Sequence, residues 1–90
     1  MSTPARHRVL IADDDPDARA AYRAFFAQQR EFTLVGEART GAEAVETYAQ
    51  VRPDVVLMDL QMPGMSGIDA TRLICERHPG ACIVAMTTFG

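Results

Sequence analysis

The chain has 90 residues, 48% of them hydrophobic, and a formal net charge of −3 from nine basic and twelve acidic residues. A chain of this length forms one small domain, and its apolar content excludes a disordered segment. The acidic balance argues against nucleic-acid binding by these residues themselves, because phosphate contacts need clustered Lys and Arg side chains.

The first predicted element is a short buried strand, formed by the continuous apolar run Val9–Ala12. Three acids follow at positions 13–15, and the last of them is a typical helix N-cap. Pro16 then occupies the first helical position, where its missing N–H costs nothing. Apolar residues recur at three- and four-residue steps through Gln29, which predicts an amphipathic first helix.

The next two elements are a strand and a second helix. Residues 32–38 carry apolar side chains in the alternating manner of a strand. Residues 40–43 read Thr-Gly-Ala-Glu, a capping box in which the Thr hydroxyl accepts from the backbone of the fourth residue. The helix that starts there is predicted to end near Pro53.

The second half of the chain repeats this arrangement. A second buried run, Val55–Met58, ends in Asp59. Residues 66–69 repeat the capping pattern and start a third helix, and the last apolar run, residues 81–86, ends in Thr87. Strands that alternate with helices predict an α/β fold, with parallel strands joined by right-handed crossovers.

The two cysteines, Cys75 and Cys82, are too few and too close in sequence for a disulfide framework. A free cysteine packs as a small hydrophobe, and each lies in an apolar stretch of a predicted element. We therefore expect two buried free thiols.

Polar residues gather where the predicted strands end. Asp13 and Asp14 follow the first strand, Asp59 the third and Thr87 the fourth, and ligands of an open parallel sheet bind beyond these carboxyl ends. If the first and third strands are neighbours, three carboxylates converge, and their mutual repulsion favours a bound cation. Mg²⁺ suits such an all-oxygen site best, because it keeps part of its coordination open to water. Each acid alone is more typical of a helix cap or a turn. Only their occurrence together, at equivalent strand ends, favours a metal site.

Three stretches of the sequence resemble the receiver domains of two-component response regulators. They are residues 9–16, residues 54–67 and residues 83–89, so the resemblance covers essentially the whole chain. The ending Thr-Thr-Phe and the stretch Leu-Gln-Met-Pro resemble the LuxR/NarL-like subgroup, in which a helix-turn-helix DNA-binding domain follows the receiver. The resemblance implies a flavodoxin-like, doubly wound parallel sheet with the strand order 2-1-3-4.

The same resemblance implies a role for each residue of the candidate site. Asp59 matches the phosphoacceptor, which a sensor histidine kinase phosphorylates with the help of Mg²⁺. Asp14 matches the acid that ligates the metal directly, Asp13 the acid that usually acts through water, and the Gln61 backbone carbonyl the third protein ligand beside Asp59. Thr87 matches the hydroxyl that moves to the phosphoryl group and so reports phosphorylation.

The sequence departs from the family after its fourth strand. A fourth helix, a fifth strand and a fifth helix are missing, together with the Lys that ends the fifth strand, and the sequence contains no Lys. We therefore expect residues 1–90 to be the N-terminal part of a receiver domain, with weakened phosphorylation. Without the fifth helix, apolar side chains on one sheet face are expected to contact water, which predicts self-association or a dimer.

Three functions remain open. The first is a signalling phosphoacceptor, not an enzyme, that regulates transcription through a DNA-binding domain absent from this sequence. The second is an inactive structural or interaction fragment that self-associates. The third, a phosphatase or phosphotransferase with an Asp nucleophile, is disfavoured because Gln61 stands where such enzymes often carry a second acid. Residues 1–8 lack the apolar core of a signal peptide, so we expect a cytoplasmic chain with no membrane partner.

Overall fold

The structure is a computed structural model that describes residues 6–86. Strands and helices alternate in this range, and every element has the type that the sequence predicts. The order is β1 His7–Ala12, α1 Pro16–Ala27, β2 Phe32–Ala38, α2 Gly41–Val51, β3 Val55–Asp59, α3 Gly67–Arg77 and β4 Ile83–Met86.

All strand pairs of the sheet are parallel, and the strand order is β2-β1-β3-β4. This confirms the predicted α/β class and the order 2-1-3-4. In β1 and β3, Ala12 lies opposite Met58, so that the next residues of the two strands, Asp13 and Asp59, lie side by side at the carboxyl ends. Because the crossovers are right-handed, the reversal of direction at β1 puts α1 on one face and α2 and α3 on the other.

The face covered by α2 and α3 holds a continuous core. Both helices contribute side chains to it, and so do β1, β2 and β3, although in β2 only Ala38 is buried. Burial of this apolar surface is the main stabilising contribution to the fold. The buried members are Leu10, Ala12, Ala38, Ala44, Tyr48, Val56, Met58, Met62, Ala70 and Ile74.

The face covered by α1 is less complete. In β1, Val9 and Ile11 are buried, but α1 buries none of its own residues. Phe25 of α1 is 57% exposed and Val84 of β4 is 46% exposed. This confirms that apolar side chains of this face contact water. Between α1 and the sheet lies a groove of about 390 Å³, lined by Ala21, Tyr22, Phe25, Phe26 and Leu57.

Each helix starts at the cap that the sequence predicts. The side chain of Asp15 accepts a hydrogen bond from the Asp17 N–H at 2.9 Å. Thr40 caps α2 through the Glu43 N–H at 3.1 Å, and Ser66 caps α3 through the Asp69 N–H at 3.2 Å. These caps satisfy backbone donors that lack partners inside the helices.

The prediction of two buried thiols is wrong, since Cys75 and Cys82 are both exposed. In α3 the inward positions belong to Ala70 and Ile74, which lie one turn apart, and Cys75 follows on the outer side. Cys82 directly precedes β4, which is an edge strand of the described sheet. None of the helices within residues 6–86 combines the length and the apolar content that a bilayer span requires.

Candidate metal centre

The structure brings Asp13, Asp14 and Asp59 together at the carboxyl end of the sheet. One carboxylate oxygen of each residue lies within 4.8 Å of one carboxylate oxygen of each of the other two. The neighbouring positions of β1 and β3 account for this, because Asp13 directly follows Ala12 and Asp59 ends β3. Asp13 and Asp59 are buried, whereas Asp14 is exposed, so the cluster opens to solvent on the side of Asp14.

Asp13 is held through its backbone and its side chain. Its N–H donates to the Ala38 carbonyl of β2 at 3.0 Å. Its Oδ1 accepts from the Asp15 N–H at 2.9 Å, and its backbone carbonyl accepts from Nη1 of Arg19 at 2.8 Å. The orientation of this carboxylate is therefore set jointly by β2 and by the start of α1.

Asp59 is held from the side of α3. Its Oδ1 accepts from the Gln61 N–H at 3.0 Å, and the Gly67 N–H donates to the Leu60 carbonyl at 3.3 Å. A Cβ atom at Gly67 would collide with the Asp59 carbonyl oxygen, so only glycine allows α3 to start this close to the end of β3. The loop that follows Asp59 is thus held at two points, by the side chain of Asp59 and by Gly67, the first residue of α3.

A second close approach ties α2 to the same loop. A Cβ atom at Gly41, the first residue of α2, would collide with the carbonyl oxygen of Met65. The sequence analysis did not identify Gly41 as part of the site. The available signal was that glycine follows the capping residue in both α2 and α3, since Gly41 follows Thr40 and Gly67 follows Ser66.

The electrostatics of the cluster favour a cation. Burial raises the pKa of the Asp13 carboxyl, and the charges of Asp59, Asp14 and Asp15 raise it further. The hydrogen bond from the Asp15 N–H acts in the opposite direction but does not outweigh burial. A bound divalent cation would relieve this repulsion, and three carboxylates with an open side fit the oxygen preference of Mg²⁺.

The remaining predicted residues are placed less completely. Gln61 is exposed, and its backbone lies against Asp59 through the hydrogen bond described above. The role of its carbonyl as a metal ligand stays a prediction. Thr87 lies outside the described residues, directly after Met86, which lies opposite Asp59 in the β3–β4 register.

Comparison with known proteins identifies the family. Residues 9–90 match the model of the response regulator receiver domain. The chain belongs to this family. It is 42% identical over 82 residues to the transcriptional regulatory protein LiaR of Bacillus subtilis, covering 91% of this chain and 39% of LiaR. It is 44% identical over 80 residues to protein-glutamate methylesterase/protein-glutamine glutaminase 4 of Myxococcus xanthus, covering 89% of this chain and 23% of that protein.

Solved receiver structures agree with this assignment. A two-component response regulator of the LuxR family from Aurantimonas sp. SI85-9A1 matches with a TM-score of 0.88 and 35% identity. The match covers 96% of this chain and 61% of that chain. The predicted resemblance to receiver domains with LuxR-like relatives is confirmed. The chain spans well under half the length of these curated relatives.

Proposed function

We propose that this receiver domain is a signalling phosphoacceptor that takes a phosphoryl group on Asp59. The observation that carries the proposal is the convergence of the buried Asp59 carboxylate with Asp13 and Asp14 within 4.8 Å. Acids kept this close and partly buried repel one another, so an arrangement of this kind is suited to a metal ion and an anionic substrate rather than to stability.

In the proposed reaction a carboxylate oxygen of Asp59 attacks the phosphorus of the donor. A new P–O bond forms while the bond from phosphorus to the donor's leaving atom breaks, and the leaving group departs with the electron pair. Within the described residues the Gln61 N–H engages Oδ1 of Asp59, which leaves Oδ2 to act as the nucleophile. Bound Mg²⁺ would neutralise the charge on the phosphoryl oxygens and help to orient the phosphoryl group, so that its leaving group lies opposite the attacking oxygen.

Asp13 and Asp14 have a different task in this proposal. Both would hold the metal, Asp14 directly from the exposed side and Asp13 from the buried side, where the usual route is through water. The raised pKa of Asp13, caused by burial and by its acidic neighbours, supports a cation at the cluster, because a positive charge there favours the ionised carboxylate. Gln61 would add its backbone carbonyl, and Thr87 would supply the hydroxyl that responds to the phosphoryl group.

The partners belong to the proposal as well. We expect a sensor histidine kinase as the donor, and its phosphorylated histidine would supply the phosphoryl group. LiaR is a transcriptional regulatory protein, which supports transcription as the output, through a DNA-binding domain that these residues do not contain. The net charge of −3 supports an indirect contact with DNA. We place this signalling in the cytoplasm.

We propose that the chain is not an enzyme, so that any loss of the phosphoryl group to water is incidental. The Myxococcus relative carries the name of an esterase, but the match covers 23% of that protein. The name therefore describes a chain most of which has no counterpart here.

Mass spectrometry tests the proposal. The chain is incubated with acetyl phosphate and Mg²⁺, and its intact mass is compared with that of Asp59→Asn and of a sample containing EDTA. The proposal predicts a gain of one phosphoryl group only in the first sample. No gain in a sample that circular dichroism shows to be folded would contradict it.

A second candidate function is a self-associating interaction module. The exposed Phe25 and Val84, together with the groove between α1 and the sheet, favour it because large apolar side chains in water promote association. Mg²⁺ binding without phosphorylation would be its mark, whereas the first function requires both.

A further inference from the structure

Arg19 differs from the other ion-paired arginines of the described residues by its burial. Its side chain is 13% exposed, compared with 58% for Arg23, and the remaining two are more exposed still. Burying a guanidinium is costly unless its donors are used. One of its donors, Nη1, reaches back six residues to the carbonyl of Asp13 at 2.8 Å.

The Asp13 carbonyl depends on this donor. It lies before Asp15, the N-cap of α1. The first backbone hydrogen bond of the helix runs from the Arg19 N–H to the Asp15 carbonyl, so the helix offers the Asp13 carbonyl no backbone donor. No backbone donor of residues 6–86 is bonded to the Asp13 carbonyl. Without the guanidinium, the part-buried carbonyl would need water or a different loop conformation.

Glu37 holds the guanidinium in place. Its Oε1 lies 3.7 Å from Nε of Arg19, and both of its oxygens accept hydrogen bonds from Arg23 at 2.9 Å. In the sheet, Glu37 lies opposite Ile11, two residues before Asp13. The hydrogen bond from Arg23 lowers the pKa of the Glu37 carboxyl and so favours its charged form. Glu37, the acid that pairs with Arg19, is thus held by its place in β2 and by Arg23 of α1.

We propose that Arg19 is a positioning residue for the metal site, which holds the peptide after Asp13 and so keeps the Asp13 carboxylate directed into the cluster. This inference rests on the proposed function, because positioning matters only if the cluster binds Mg²⁺. The effect is geometric rather than electrostatic. The pKa of the Asp13 carboxyl is raised by burial and by its acidic neighbours, and Arg19 contacts the backbone carbonyl of Asp13 rather than its carboxylate.

Two substitutions separate positioning from loss of the ion pair. Arg19→Met removes both the bond to Asp13 and the pair with Glu37, while keeping most of the apolar stem. Arg23→Met is the matched control. It removes the other arginine that pairs with Glu37, and no hydrogen bond joins Arg23 to Asp13. Arg19→Lys restores a donor and a charge without the planar fork, and it also serves if Arg19→Met does not fold.

Two measurements read the outcome. The first is the exchange rate of the Asp15 amide by NMR without metal, because this N–H is bonded to the Asp13 carboxylate. The second is the Kd for Mg²⁺ by titration calorimetry. We expect Arg19→Met to raise both the exchange rate and the Kd by about fivefold, the effect of one lost hydrogen bond. Arg23→Met should change neither by more than about twofold, and Arg19→Lys should be intermediate.

The inference is overturned if Arg19→Met and Arg23→Met give the same amide exchange rate and the same Kd. It is also overturned if only stability changes, to the same extent in both variants. If the unsubstituted chain binds no Mg²⁺, the proposed function fails, and the metal-free exchange rates still decide whether Arg19 orients Asp13.

Discussion

On the α2–α3 face, side chains from both helices and from three strands form one continuous core, whereas on the opposite face α1 buries no residue of its own. There, Val9 and Ile11 of β1 are still buried, but several contacts between α1 and the sheet are polar. Arg19 and Arg23 bind Glu37, and the Tyr22 hydroxyl donates to Sδ of Met86 at 3.0 Å. One face is therefore stabilised mainly by apolar burial, and the other by less complete apolar burial together with a few directed polar contacts.

The candidate site spans this difference. Asp59 is supported from the α2–α3 face, through Gly67 and the loop before α3. Asp13 is supported from the α1 face, through Arg19 and the start of that helix. Substitutions on the two faces should therefore have different effects, with stability changing most on one and the orientation of the acids on the other.

The largest difference is expected for truncation of core side chains. Ile74→Ala removes a fully buried side chain and should lower the free energy of unfolding by about 3 kcal/mol. Leu57→Ala, on the half-buried α1 face, should lower it by about 1 kcal/mol. Urea denaturation measures both. Equal losses would show that the α1 face is packed as tightly as the core.

The next effect concerns the support of Asp59. Gly67→Ala should destabilise the chain by about 2 kcal/mol, because the added Cβ would force α3 away from the Asp59 carbonyl. It should also reduce phosphorylation. Gly80→Ala is the matched control, since a Cβ there meets no atom within 4 Å. If both alanine variants unfold at the same urea concentration, α3 has room at this point.

A smaller effect follows from the opposite pKa shifts of Asp13 and Glu37. Burial raises the pKa of Asp13, so the folded chain binds more protons than the unfolded chain, and the metal-free free energy of unfolding falls as pH rises through that pKa. The hydrogen bond from Arg23 lowers the pKa of Glu37 below its ordinary value of 4.5. Its contribution to the free energy of unfolding is therefore complete above that value and is lost as pH falls through the pKa of the folded chain.

Urea denaturation between about pH 4 and pH 7 without metal tests these signs. Asp13→Asn should be more stable than the unsubstituted chain at neutral pH and lose most of the advantage at the acid end. Glu37→Gln should be less stable at neutral pH. Added Mg²⁺ should reverse the order for Asp13→Asn. A stabilising Asp13 carboxylate without metal would contradict the interpretation of the cluster as a cation site.

The smallest effect is expected for association. We predict that the apparent mass in light scattering rises with concentration and that Phe25→Gln reduces this rise, because it removes an exposed apolar side chain from the α1 face. Ile68→Gln is the control, since Ile68 is similarly exposed, at 56%, but belongs to α3. A monodisperse monomer at high concentration would count against the prediction.

Much of the fold follows from local sequence patterns. The apolar runs, the capping residues Asp15, Thr40 and Ser66 and the breaks after each helix predict the element order. The convergence of Asp13 with Asp59 follows once β1 and β3 are neighbours, because parallel strands end at the same edge. Each of these inferences needs only residues that are close in sequence, or one topological rule.

The supporting contacts could not be predicted in this way. The bond from Arg19 to the Asp13 carbonyl and its pair with Glu37 depend on how α1 lies on the sheet, which periodicity does not specify. The same holds for Gly41, whose importance arises from a loop distant in sequence. The exposure of Cys75 was mispredicted because hydrophobicity alone does not tell which helix positions face inward.

The most direct test of the central claim locates the phosphoryl group. The chain is treated with acetyl phosphate and Mg²⁺, the acyl phosphate is reduced with borohydride, and the altered residue is identified by tandem mass spectrometry. We predict that Asp59 alone is converted, and only when Mg²⁺ is present. Modification of Asp13 or Asp14 instead, or no modification of a folded sample, would contradict the assignment of Asp59 as the phosphoacceptor.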